Sequence, residues 1–123
     1  MNMENFGIAI GRLTTPIRIF NNHNRSRTVR FTIAVPNSYT NPDGSRGSQF
    51  LPFTDFIPAN AKTNRIYDSL EIGDRVNIQY TPMNNNYIDG DGTQHYDLAL
   101  RVDNIKYAET RAAKEARLAE HVS

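Results

Sequence analysis

Five short segments of this 123-residue chain place apolar residues at every second position, and that period of two is the strongest constraint on its fold. Side chains in a strand point alternately to opposite faces, so such a segment buries one face and presents the other. In the first segment Phe6, Ile8 and Ile10 alternate with Gly7, Ala9 and Gly11, and Ile17-Arg18-Ile19-Phe20 continues it. The pattern predicts one buried face, that of Phe6, Ile8 and Ile10, while the small residues opposite either admit a close approach to the backbone or simply let the strand bend. After the turn cluster Asn21-Asn22-His23-Asn24, Val29, Phe31, Ile33 and Val35 form a second strand that Pro36 stops.

Thr40-Asn41-Pro42-Asp43-Gly44 is a turn, with Pro setting one φ and Gly supplying a positive one. A third strand runs from Phe50 to Ile57 and is furnished on both faces: Leu51, Phe53 and Ile57 on one, Phe50, Thr54 and Phe56 on the other. One face meets the core; the other needs a partner. Asp55 stands where an apolar core residue is expected. Residues 59–70 offer Ala59, Arg65, Ile66 and Leu70 at loosely helical spacing and predict a short helix, ended by Gly73. Val76, Ile78 and Tyr80 then point inward from a fourth strand. Tyr96, Leu98, Leu100 and Val102 share one face of a fifth, with Ile105 and Tyr107 after a phase slip.

Strand, strand, strand, short helix, strand, strand is the connectivity of an all-β, five-stranded OB-fold Greek-key barrel with its helix between strands 3 and 4. Residues 108–122 are Ala-rich and charged, without Gly or Pro, and predict a helix with Ala112, Ala116 and Ala119 as a thin apolar stripe. The chain therefore divides into a barrel domain over 1–107 and a short charged helical tail over 108–123.

No cysteine is present, which excludes disulfides and Cys-based zinc sites. The apolar runs are too short to cross a membrane, and the N-terminal residues do not read as a secretory signal, so a cytoplasmic protein is expected. The net charge of +1 hides an asymmetry. Residues 1–35 hold Arg12, Arg18, Arg25, Arg27 and Arg30 against Glu4 alone, while residues 71–107 hold six acids against three bases. Eleven of the fourteen cations are Arg, whose planar fork suits phosphate and stacks on bases. A basic half fits a polyanion partner, although a solvated hairpin accounts for it as well.

Asp89-Gly90-Asp91-Gly92 has the look of a calcium loop, but the twelfth residue from Asp89 is Leu100 rather than a bidentate acid, and its flanks read as strands. Asp-Gly is a favoured hairpin pair, so this stretch predicts a turn and no metal site. His23, His95 and His121 show no spacing for a metal or a proton relay. Asp89, Asp91 and Asp103 are the carboxylates that a metal-dependent nuclease would need, yet nothing in the pattern requires one. The expectation is a protein without catalytic residues or cofactors. Tyr39, Phe50, Phe56 and Tyr87, interleaved with Arg, suit base stacking on a basic groove; burial of the two Phe rings in a subunit interface suits them too.

Four motifs tilt this balance: Gly11-Arg12-Leu13-Thr14, Phe31-Thr32-Ile33-Ala34-Val35, Leu70-Glu71-Ile72-Gly73-Asp74-Arg75-Val76, and Tyr87 through Asp91-Gly92 to Tyr96. In this order and spacing the chain resembles the bacterial-type single-stranded DNA-binding proteins over about residues 5–107. The resemblance implies that Tyr39 stands at a stacking position commonly held by Trp, that Phe50 and Phe56 are two further stacking residues, and that Tyr87 is the ring beside the last hairpin turn. Arg12 takes a contact position, and Arg18, Arg25, Arg27 and Arg30 are phosphate-contact candidates by charge. There is no Trp.

The family implies sequence-independent binding and protection of single-stranded DNA in replication and recombination, as a homo-oligomer, usually a tetramer. Its members usually end in a long Gly/Pro-rich tail with an acidic tip that recruits replication and repair proteins. Here a short charged helix stands at that end, which fits a streamlined phage or mobile-element version. The competing expectation is an OB-fold interaction module of a replication or phage assembly, with Phe50 and Phe56 in a protein interface.

Overall fold

A computed structural model describes residues 2–122 of the chain. The strands are β1 (Gly7–Leu13), β2 (Arg18–Asn21), β3 (Arg27–Pro36), β4 (Ser48–Ile57), β5 (Arg75–Asn84), β6 (Tyr87–Ile88), β7 (Gln94–His95) and β8 (Leu98–Tyr107), followed by helix α1 (Arg111–Val122). The sheet order is β1-β5-β8-β4-β3-β2. Pairing of Arg12 with Ala34 and of Leu13 with Ile33 joins β1 to β3 and closes β1, β5, β8, β4 and β3 into a five-stranded OB-type barrel. β2 lies outside, paired to β3, and β6 and β7 form a separate two-stranded arm between β5 and β8. The helix expected between the third and fourth barrel strands is a single 3-10 turn, Arg65–Asp68, far shorter than 59–70.

The core is built as the alternation predicts in β3, β4 and β5: Val29, Phe31, Ile33, Phe53, Ile57, Val76 and Ile78 are buried. Phe31 stacks on Phe53 with centroids 5.8 Å apart, and Tyr80 meets Phe53 edge-on at 5.3 Å. Asp55 keeps its inward position because the buried Tyr67 hydroxyl donates to its Oδ2 at 2.6 Å. Burial, and then the carboxylate beside it, push the Tyr67 hydroxyl well above the usual phenol range. The phase slip in β8 is a bulge opposite Gln79 and Tyr80, after which Ile105 returns to the inner face.

β1 is reversed relative to expectation. Phe6, Ile8 and Ile10 face outward, and the small residues face in, with Ala9 and Leu13 buried. The reason is barrel closure. A Cβ at Gly11 would collide with the carbonyl oxygen of Ala34 on β3, and one at Gly7 would collide with the Tyr80 ring. Where two backbones and a tyrosine converge, only the small face fits inside. Tyr96 and Leu98, expected to share the face of Leu100 and Val102, are exposed: Tyr96 precedes β8, and Leu98 stands at its first position, paired to Asn84 at the far end of β5.

α1 also departs from its pattern. Ala112, Ala116 and Ala119 are exposed, and the helix meets the barrel through Lys114 and Arg117. Both reach the fully buried Asp74: Lys114 Nζ lies 3.0 Å from Oδ2, and Arg117 Nη2 lies 3.0 Å from Oδ1. Arg117 Nη2 also donates to Glu109 Oε1 at 3.0 Å. A buried carboxylate has to be paired, and that need outweighs the small apolar gain an alanine stripe offers.

Candidate nucleic-acid interface

The outward face of β2, β3, β4 and β8 carries one row of residues at matched register. Arg18 on β2 pairs with Arg30 on β3, Arg30 with Thr54 on β4, and Thr54 with Arg101 on β8. At one inter-strand spacing per step, the row spans about 14 Å. Among the described residues none of the three guanidiniums is ion-paired with a carboxylate. Like charges directly opposite in a ladder are destabilising, so Arg18 beside Arg30 is an arrangement that stability alone disfavours.

Aromatic rings flank the row. Arg30 Cζ sits 5.8 Å from the Phe20 centroid, and Arg101 Cζ sits 5.2 Å from that of Phe56. Both are within cation–π range, and both rings keep an exposed surface. Arg18, Arg30 and Thr54 of the row line a groove of about 490 Å³ together with Asn85 and Asp97 at the base of the arm and Leu98 and Leu100 on β8. A smaller recess of about 210 Å³ continues it between Arg30, Phe56, Met83 and Arg101.

The residues singled out from sequence fall into three groups. Arg18, Arg30 and Phe56 come together in the row. Phe50 shares the outward face of β4 but lies six residues from Phe56, opposite Ala34; it is 65% exposed. Tyr39 projects from the β3–β4 loop, Tyr87 from the arm, and Arg25 from the exposed β2–β3 turn. Arg12 and Arg27 are engaged elsewhere. Arg12 Nη1 donates to the Gly73 carbonyl at 2.9 Å and lies 3.5 Å from Glu109, while Arg27 Nη2 donates to the Ala61 and Thr63 carbonyls at 2.9 and 3.3 Å. Both guanidiniums brace loops of the barrel.

Phe20 and Arg101 are the site residues that sequence reasoning passed over. The alternation around Arg18 already puts Phe20 on its side of the strand. Arg101 has no such signal, because only the β4–β8 register brings it beside Thr54.

Asp89, Asp91 and Asp103 do not converge. Asp89 closes the arm's turn, and Asp103 accepts from Thr81 Oγ1 at 2.6 Å. Among the described residues no group of three or more His, Cys, Asp or Glu is placed to hold a metal ion. No described helix is long and apolar enough to cross a membrane.

No protein-family model matches the chain, and a search of curated proteins finds no match either.

Proposed function

We propose that this protein binds single-stranded DNA without sequence preference, in the manner of the bacterial-type single-stranded DNA-binding proteins it resembles, and that it acts in replication or recombination. The observation that carries this reading is the row Arg18–Arg30–Thr54–Arg101 with Phe20 and Phe56 beside it. Guanidiniums aligned along one row, with Arg18 directly opposite Arg30, gain stability when a polyanion lies across them, releasing its counterions. Rings at the edges supply faces on which any base can stack, so affinity does not depend on sequence. A duplex hides its base faces and gains only the charge contacts.

The outward Phe6, Ile8 and Ile10 support self-association. They line the face of β1 whose N-terminal part pairs with β5 alone. A second copy covering that face leaves the arginine row open, which fits a homo-oligomer with its grooves outward. The same apolar residues, together with the exposed Phe50, favour the second reading, an OB-fold interaction module with weak nucleic-acid binding.

Fluorescence anisotropy of labelled oligo-dT, with duplex and oligo-U competitors across a salt series, tests the two. Tight, salt-weakened binding that prefers oligo-dT supports the first. Weak binding to every ligand at low salt refutes it and leaves the interaction module.

A further inference from the structure

The arm formed by β6 and β7 has only two residues per strand, too little ladder to fix a side chain by itself. Its turn is nevertheless tightly closed. Asp89 N donates to the Thr93 carbonyl at 3.0 Å, and Gly92 N, at a φ of +83°, donates back to the Asp89 carbonyl at 3.1 Å. The Asp89 side chain adds a second layer. Its Oδ1 accepts the backbone N–H groups of Asp91 and Thr93 at 2.9 and 3.0 Å, and its Oδ2 lies 2.7 Å from His95 Nε2.

The His95 bond and the Thr93 N–H hold the Asp89 carboxyl below its usual range, so it is ionised and accepts only. His95 Nε2 must therefore carry the proton, which fixes both tautomer and ring plane. Directly across the ladder from His95 stands Tyr87. The two rings lie 4.8 Å apart and 12° from parallel. One face of Tyr87 is covered by the imidazole; the residue as a whole remains 47% exposed.

We propose that Asp89 and His95 are positioning residues for Tyr87, and that the three form a pre-stacked platform whose free face takes an unpaired nucleobase. This rests on the single-strand-binding reading above and deepens it. A tyrosine on an exposed two-residue strand samples several rotamers, and a base that stacks on it must first freeze one. Here the imidazole behind the ring, itself held by a charged hydrogen bond, has already done so. The stack contributes nothing to the barrel core, since all three residues lie on the arm. The arm rises from the wall of the arginine groove, next to Asn85, Asp97 and Leu98. A base leaving the groove along that wall meets the Tyr87 platform.

The test compares oligo-dT affinity for the intact chain, His95→Ala, His95→Phe, Asp89→Asn, Tyr87→Ala and the Tyr87→Ala/His95→Ala double variant. Removing His95 is expected to weaken binding about two- to tenfold, the equivalent of one aromatic pair. His95→Phe, which keeps a ring behind Tyr87, is expected to restore most of the loss, and Asp89→Asn to fall between. In the Tyr87→Ala background, His95→Ala is expected to change nothing further.

NMR gives a signature independent of DNA: the His95 ring protons should be shifted upfield by Tyr87, lose that shift in Tyr87→Ala, and move when oligo-dT is added. Wild-type affinity in His95→Ala, or an equal loss with and without Tyr87, overturns the proposal while leaving single-strand binding intact. Absence of oligo-dT binding by the intact chain overturns the parent reading and this one together, even with the upfield shift present.

Discussion

Arg30→Ala isolates the electrostatic half of the proposed function. Arg30 occupies the centre of the row, with Arg18 on one side and Thr54, then Arg101, on the other. If each of the three guanidiniums neutralises one phosphate, the row contributes about −2 to the slope of log K against log salt, at roughly −0.7 per contact on a single strand. Between about 50 and 200 mM salt that slope weakens binding about eighteenfold. Removing Arg30 makes the slope shallower by about 0.7, so the same salt step costs about 2.6-fold less. Folding should be untouched: the variant loses the contact with Phe20 but relieves the repulsion from Arg18, and each effect is about 0.5 kcal/mol. The assay is anisotropy at five salt concentrations, with Arg27→Ala for contrast. Arg27 braces the Ala61 and Thr63 carbonyls, so its loss should lower the Tm and leave the slope unchanged. A wild-type slope in Arg30→Ala, or a slope reduced equally by Arg27→Ala, would refute the assignment of this row to phosphate.

Tyr39→Ala and Phe50→Ala should each weaken oligo-dT binding by about 1–3 kcal/mol with unchanged thermal unfolding, since both rings are exposed; retained affinity in both variants would remove them from the site. Asp74→Asn takes the charge from beneath Lys114 and Arg117 and should cost about 3 kcal/mol in denaturant unfolding, the low end for a broken buried pair because both cations reach water if α1 undocks. Protease cleavage within α1 should accelerate alongside. Gly11→Ala forces a methyl onto the Ala34 carbonyl and should destabilise by at least about 2 kcal/mol by the same assay, whereas Gly90→Ala, with open space around it, should be near neutral.

Acid should also loosen α1. Burial works to raise the Glu109 carboxyl, but hydrogen bonds from Arg117 and the Arg75 N–H prevail and hold it low. A depressed acid stabilises the fold above its unfolded pKa of about 4.3 and loses that contribution as pH falls through the folded value. Protease sensitivity of α1 should therefore rise below about pH 4, and Glu109→Gln should flatten that rise.

What the sequence revealed and what it hid divide along a physical line. β3 and β4 were legible because their alternation is dictated by their own burial: Phe31, Phe53 and Ile57 point inward wherever the strands pair. The doubly furnished β4 likewise carried its outward Phe50 and Phe56 in plain view. β1 was misread because its inner face is chosen by what arrives from elsewhere, the Ala34 carbonyl and the Tyr80 ring, and hydrophobicity alone ranks Ile8 above Ala9. α1 was legible as a helix, but the contacts by which it docks were hidden for a related reason. Its docking depends on Asp74, forty residues before Lys114 in the chain, and no helical period reports such a partner. Arg101 belongs to the same class, since it joins the site only through its register with Thr54.

The order of strands in the sheet also sets the order in which the binding face comes into being. β2, β3 and β4 pair with their neighbours in the chain and can form a meander by residue 57. β1 can meet β3 only at Arg12 and Leu13 and waits for β5 along the rest of its length, and Arg101 arrives only with β8. At about 5–20 residues per second, roughly 2–9 s of synthesis separates the end of β4 from Arg101. Through that interval Phe31 and Phe53 have no barrel to close over them, and the groove lacks a wall. One strand then supplies both, so a nascent chain passes from an exposed core to a sealed core and a complete binding face in the same step.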